Sequence, residues 1–261
     1  MMERSAYRVR YRRRISSLSV HARIEIVRDA VVSGDQNVGA MISRAIRDRS
    51  PKVRATAAEL IAKQKNVSFL GSLHDMLSDP SDIVRSEAID ALGIMEEGSG
   101  RHHEDLISRL RDVKPIVRIA AIESLTLLQD FSATPEIESC LEDDNSLVRA
   151  YAAIALAELG CAKCLPHISK ALAVEKDEAA SAGFMIAMYI LGDGSEFTAL
   201  LTLLSSDRYQ VRCFVANWLP RLKLNSKELG AAKMKIEEAL SHPLGRADAS
   251  TMSSVRKLLQ S

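Results

Sequence analysis

The feature that most constrains how this chain can fold is a sequence unit that recurs along it. One copy, DDNSLVRAYAAIALAELG, begins at Asp143, and related copies begin at Asp48, Asp79 and Asp112. A further copy, SDRYQVRCFVANWLP, has Asp207 one place late, and a degenerate copy at 175–192 lacks the Val-Arg pair. One equivalent position in the successive copies is occupied by Val53, Val84, Val117, Val148, Ala180 and Val211. These residues are separated in turn by 31, 33, 31, 32 and 31 residues. A period this constant indicates stacked repeats rather than one globular core.

Each copy predicts a pair of helices joined by a turn. The second helix of a pair is expected to open at Pro51, Asp82, Pro115 or Ser146, and proline suits a first helical position because its missing N–H would be unpaired there anyway. Small and large apolar residues then alternate on one side of that helix. No single pair could bury this stripe alone, so neighbouring pairs must stack.

The pattern D-x4-V-R-x2-A-x2-A-L-x2-L-G resembles the HEAT-like repeat, especially the short variety found in phycobilin lyases and many bacterial scaffold proteins. The resemblance covers about residues 36–224, and more loosely the ends. It implies an all-α fold, a right-handed α-α superhelix. It also implies an internal ladder of ion pairs and hydrogen bonds made by Asp48, Asp79, Asp112 and Asp143 with Arg54, Arg85, Arg118 and Arg149.

The expected organisation is one HEAT-like repeat domain over residues 1–261. Residues 1–35 form a basic N-terminal capping helix pair, 36–224 the repeats, and 225–261 the C-terminal capping helices. The hydrophobic share of 47% is enough for a continuous core, and aromatic residues make up only 4%. Four cysteines without an even framework of spacings suggest a reducing compartment. With no apolar run long enough to span a bilayer and no secretory signal, a cytoplasmic location is expected.

The N-terminal segment is strongly basic. It holds six arginines against Glu3 alone, in a chain whose net charge is +1, so the rest of the chain is net acidic. Tyr7, Tyr11 and Ile15 follow one another at helical spacing. One interpretation is a capping helix with its arginines in solvent. The other is a basic arm for an acidic partner, a nucleic-acid backbone or a membrane surface, carried by Arg10, Arg12, Arg13 and Arg14.

Nothing in the sequence predicts catalysis, a metal or a cofactor. The pair Cys161 and Cys164 is the only CxxC, and no second pair completes a four-ligand zinc site. The chain has no Gly-rich phosphate loop and no nucleophile elbow. We therefore expect a protein without catalytic residues, metal ligands or cofactors, and without enzymatic activity.

The expected binding surface lies on the concave side, where HEAT-type arrays present their second helices. The outward positions are acidic in the first half of the array and apolar in the second: Glu59, Glu87, Asp90 and Glu123, then Tyr151, Ile154, Ile186, Tyr189 and Phe214. Exposed apolar clusters tend to mark interfaces. The alternative is that the acids are ordinary solvated positions and that the apolar group packs on the C-terminal cap.

The sequence favours a non-enzymatic protein-binding scaffold, adaptor or inhibitor whose concave face holds another protein. The alternative is a HEAT-type nucleic-acid-binding protein or an enzyme, similar to a DNA glycosylase or a phycobilin lyase. An acidic groove repels phosphate and favours the first interpretation.

Overall fold

The structure is a computed structural model that describes residues 18–95 and 103–241. The basic arm, Arg10, Arg12, Arg13 and Arg14, and residues 242–261 of the predicted C-terminal cap lie outside the described residues. The chain divides between Leu128 and Gln129 into two compact units, which we call the N-terminal unit and the C-terminal unit.

The described part of the N-terminal unit consists of helices joined by turns. Its helices are α1 (Val20–Val32), α2 (Val38–Ala45), α3 (Pro51–Gln64), α4 (Leu70–Met76), α5 (Asp82–Met95), α6 (His103–Arg109) and α7 (Pro115–Leu127), with a 3-10 turn at Val67–Phe69. Helices α1, α3, α5 and α7 are the second helices of their repeats. Helix α3 packs against α1 and α5, and α5 also packs against α7.

The C-terminal unit continues the same pattern. Its helices are α8 (Thr134–Ser139), α9 (Ser146–Glu158), α10 (Leu165–Val174), α11 (Glu178–Ile190), α12 (Phe197–Thr202), α13 (Tyr209–Trp218) and α14 (Ser226–Ser241). Its 3-10 turns are Phe131–Ala133, Cys140–Glu142, Ala162–Cys164, Leu203–Ser205 and Leu219–Arg221. No residue described by the structure is in a strand, so the predicted all-α fold is confirmed.

Small residues allow the second helices to pack closely. Ala57, Ala88 and Ala121 are completely buried in α3, α5 and α7. The closest approach is in the C-terminal unit, where a Cβ added to Gly183 of α11 would lie 2.4 Å from the Cα atom of Ala150 in α9. Only glycine fits at this crossing.

The predicted ladder of ion pairs is present within both units. Four arginines of second helices each make two hydrogen bonds of 2.7 to 3.0 Å to a carboxylate of the next repeat: Arg23 to Asp48, Arg54 to Asp79, Arg85 to Asp112, and Arg149 to Glu175. The same guanidinium groups also donate to a backbone carbonyl. Such two-pronged pairing matches the planar fork of arginine to a carboxylate.

The aspartates of the ladder also organise the turns. Asp79 and Asp112 each accept a hydrogen bond from the backbone N–H two residues ahead, at 2.9 Å. Burial opposes ionisation of these two carboxyls, but hydrogen bonds from the arginines and the backbone outweigh it and lower both pKa values. Each aspartate therefore joins one repeat to the previous one and fixes the start of its own second helix.

Two ladder residues were not expected from the sequence. Glu175 occupies the ladder position of the aspartate in the degenerate repeat at 175–192. Arg23 occupies the ladder position of the arginine in α1, 31 residues before Arg54. Ser206 takes the aspartate place in the following repeat, where its carbonyl accepts a 2.7 Å hydrogen bond from Arg212. Helix α1 is thus the second helix of a repeat, although its sequence lacks the Val-Arg pair.

The structure differs from the expectation of reduced cysteines. Cys161 and Cys164 form a disulfide, with an S–S distance of 2.05 Å and their Cα atoms 5.4 Å apart. The 3-10 turn at Ala162–Cys164 brings the two residues into the range that a disulfide requires. Both cysteines are buried.

Candidate functional site

The candidate site lies in the N-terminal unit, on one stripe of each of the helices α3, α5 and α7. Residues at i, i+4, i+7 and i+11 share a side of a helix. The stripe of α5 consists of Ile83, Glu87, Asp90 and Ile94, and that of α7 consists of Ile116, Ala120, Glu123 and Leu127. We call this surface the acidic face; its members are Glu59 of α3 with Glu87, Asp90, Glu123, Ile83, Ile94, Ile116 and Leu127.

The four predicted acids are brought together on this face. Glu59, Asp90 and Glu123 occupy equivalent places in three successive second helices, and Glu87 lies one turn from Asp90 on α5. The negative charge of Glu59 acts on Glu87, and the charges of Glu87 and Glu123 act on Asp90. The four acids therefore lie near one another, and their role in binding a partner remains a prediction.

Glu59 is neutralised by its neighbours. Lys63 donates a hydrogen bond to its carboxylate at 2.6 Å, and Arg28 of α1 donates another at 3.3 Å. The hydrogen bond from Lys63 is the largest influence, and it lowers the pKa of Glu59 despite partial burial. Arg28 occupies in α1 the place that Glu59 occupies in α3, so the row of equivalent positions begins with a cation.

Asp90 has no such neighbour. Within residues 18–95 and 103–241, no cation forms an ion pair with Glu87 or Asp90. Asp90 is exposed to solvent at the surface of α5, although many protein atoms surround its carboxyl group. Burial and the charges of Glu87 and Glu123 together raise the pKa of Asp90 to about 7. Burial and the charge of Glu59 also raise the pKa of Glu87.

Four exposed apolar residues flank the acids. Ile83 and Ile116 lie near the starts of α5 and α7, with 45% and 51% of their surface exposed; Ile94 and Leu127 lie near the ends, with 43% and 52% exposed. The acidic band is therefore bordered by apolar side chains on both margins. The predicted site included neither these margins nor Arg28, although extending the helical spacing by one turn in either direction would have added the margins.

The predicted apolar group of the C-terminal unit is not the exposed surface that we expected. Ile154 and Ile186 are buried in one hydrophobic cluster with residues of α12, α13 and α14, which include Leu200, Val215 and Ile236. These two isoleucines are core residues, so their assignment to a partner-binding surface is wrong. The alternative given above, packing on the C-terminal cap, describes them correctly.

The three aromatic residues of that group are half-buried. The hydroxyl of Tyr189 donates to the carboxylate of Glu228 at 2.6 Å and lies 3.1 Å from the backbone carbonyl oxygen of Lys223, which fixes it against the start of α14. Tyr151 and Phe214 contact each other edge to face, with ring centroids 5.8 Å apart. A partner-binding role for Tyr151 and Phe214 remains a prediction.

The structure offers no metal centre in the part that it describes. No group of three or more histidine, cysteine, aspartate or glutamate side chains there could hold a metal ion. Across the same residues, no helix combines the length and the apolar character that crossing a bilayer would need.

Comparisons with known proteins identify the family. Curated proteins give no sequence match. Among solved structures, the chain is similar to the complex of CpcE and CpcF of phycocyanin lyase from Nostoc sp. PCC7120, with a TM-score of 0.54 and 20% identity over 83% of this chain and 94% of that chain. At this identity the likeness shows the fold alone. The family described as HEAT repeats matches residues 39–126 and 103–187, which together span more than half of the chain. The chain therefore belongs to the HEAT-repeat family.

Proposed function

We propose that this protein is a non-enzymatic scaffold or adaptor that binds a basic segment of another protein on the acidic face. The observation that carries the proposal is the environment of Glu87 and Asp90. These carboxylates lie side by side with no cation paired to either in the described structure, and exposed isoleucines border them. A lysine or arginine from a partner would relieve the repulsion between them.

The paired neighbour Glu59 indicates what such a partner would supply. The guanidinium group of Arg28, on the preceding second helix, already donates a hydrogen bond to the carboxylate of Glu59. A partner arginine that approached Asp90 in the same way would extend this pattern by one repeat. Guanidinium groups suit the task because they bind carboxylates with two parallel hydrogen bonds.

The apolar margins favour a protein partner over a nucleic acid. A phosphate backbone would be repelled by the carboxylates of Glu87 and Asp90, whereas a peptide can combine basic and apolar residues. Burial of Ile83 or Ile94 by an apolar side chain would supply binding energy that charges at the surface do not. HEAT repeats commonly mediate protein interactions, and the similar solved structure is a complex of two proteins.

Selection of displayed random peptides against the full chain tests this proposal. We expect the enriched peptides to combine arginine or lysine with at least two apolar residues. Their binding should weaken in Glu87→Gln and Asp90→Asn variants and stay unchanged in Asp75→Asn, which alters an exposed acid of α4 away from the face. Enrichment of acidic or uncharged peptides, or no enrichment at all, would contradict the proposal.

A further inference from the structure

We propose that the acidic face is the docking site of the chain's own N-terminal segment, residues 4–15, which occupies it in the same molecule until a partner displaces it. This inference rests on the proposed function, because both assign ligand binding to the same face. The surface is that of α5 and α7, and the occupant is a basic, aromatic peptide within this chain.

Charge complementarity is the first reason. Residues 4–15 contain six arginines and no acidic residue. The acidic face offers Glu87 and Asp90, with which no described cation pairs. The rest of the chain, without the six arginines of this segment, is net acidic. The contact between Arg28 and Glu59 shows that an arginine from the N-terminal side of the sequence can reach this row.

The apolar residues of the segment match the margins. Tyr7, Val9, Tyr11 and Ile15 are interleaved with the arginines. On the face, Ile83 and Ile94 stand on either side of the α5 carboxylates, 11 residues apart, which is about 16 Å along a helix. The segment therefore brings apolar side chains to the exposed isoleucines as well as arginines to the carboxylates.

The described chain starts close enough for this docking. Leu18 precedes α1, which packs against α3, and α3 packs against α5. Packed helices lie about 8–10 Å apart, so α5 is roughly 20 Å from α1. Arg12 lies six residues before Leu18, so an extended chain can place it up to about 20 Å from Leu18. The central arginines of the segment can thus reach α5, and docking within one molecule avoids the entropic cost of bringing two chains together.

Photo-crosslinking tests the docking directly in the full chain. Tyr11 is replaced by photoreactive benzoylphenylalanine, the protein is irradiated as a dilute monomer, and the linked peptides are identified by mass spectrometry. We expect crosslinks within one chain to residues of α5 or α7. The Glu87→Lys/Asp90→Lys double variant should lower their yield several-fold, whereas Asp75→Lys should leave it unchanged. Crosslinks only to α1 or α2, crosslinks between two chains, or no crosslinks would overturn the inference.

A second measurement separates this inference from the proposed function. A peptide enriched in the selection above should bind several-fold more tightly to the Arg10→Gln/Arg12→Gln/Arg13→Gln/Arg14→Gln variant than to wild type, because the internal competitor is weakened. Equal binding to both proteins would overturn the docking of the segment and leave the proposed function standing. Crosslinks to α5 without any enriched peptide would instead remove the proposed function.

Discussion

At the scale of single residues, Asp90 is the group whose ionisation most affects the acidic face. Its pKa is raised to about 7, from about 3.9 in an unfolded chain. Between about pH 3.9 and about pH 7, the folded protein therefore binds the carboxyl proton of Asp90 more tightly than the unfolded chain does. The contribution of Asp90 to stability is accordingly greatest below pH 4, falls as the pH rises, and levels off above 7.

Asp90→Asn removes this titration, and it should therefore stabilise the protein more at pH 8 than at pH 4.5. The other charged groups around the face, Glu59, Glu87, Glu123, Arg28 and Lys63, remain in both proteins, so the difference between them isolates Asp90. Urea unfolding of both proteins at the two pH values measures it. An equal difference at both pH values would show that Asp90 titrates normally.

The second feature at the scale of single residues is the ladder of arginine–carboxylate ion pairs between repeats. Arg85 makes two hydrogen bonds of 2.8 Å to Asp112 and one of 2.9 Å to the carbonyl of Asp79. Arg85→Ala leaves the carboxylate of Asp112 poorly solvated without its partner, which should cost about 3 kcal/mol of unfolding free energy. Arg111→Ala, at an exposed position, is the control. Equal urea midpoints for the two variants would mean that the ladder contributes little.

At the scale of single residues, the repeat pattern predicted most of the ladder residues, but it missed Glu175 and Arg23 and misplaced Ile154. The aspartates and arginines of the ladder were predictable because each recurs at one place in the repeat. Glu175 was missed because a longer carboxylate replaces aspartate there, and Arg23 because the valine beside it is absent. Ile154 was misplaced because its burial depends on a cluster that includes residues of α12 to α14, remote from it in sequence.

At the scale of elements, close packing of second helices depends on glycine at one crossing. A methyl group at position 183 would overlap the backbone of α9 near Ala150, so α9 and α11 would have to separate. Gly183→Ala should therefore destabilise by about 1–3 kcal/mol or more, in spite of the better helix propensity of alanine.

Gly230→Ala is the matched control for this substitution. Nothing lies within 4 Å of the added methyl group in α14, so alanine should stabilise the helix by about 0.5–1 kcal/mol. Thermal unfolding followed by circular dichroism compares the two variants. A Gly183→Ala protein that melts at or above the wild-type temperature would show that the helices tolerate separation.

At the scale of the whole molecule, the chain is a HEAT-repeat protein with a net charge near zero that is unevenly distributed. The family could be predicted from the sequence because the period repeats many times. The function could not, because HEAT-type arrays serve many purposes and the residues at their surface are not constrained by packing. The margins of the acidic face became evident only when exposure was known.

The measurement that tests the central claim most directly is the dissociation constant of a selected basic peptide for wild type and for the Glu87→Gln/Asp90→Asn variant, by titration calorimetry at low salt. Loss of two partly exposed ion pairs should weaken binding about tenfold. Asp75→Asn should bind as wild type does, and the affinity of wild type should fall as salt is added. Equal dissociation constants for wild type and the double variant would contradict the claim that this face binds a basic partner.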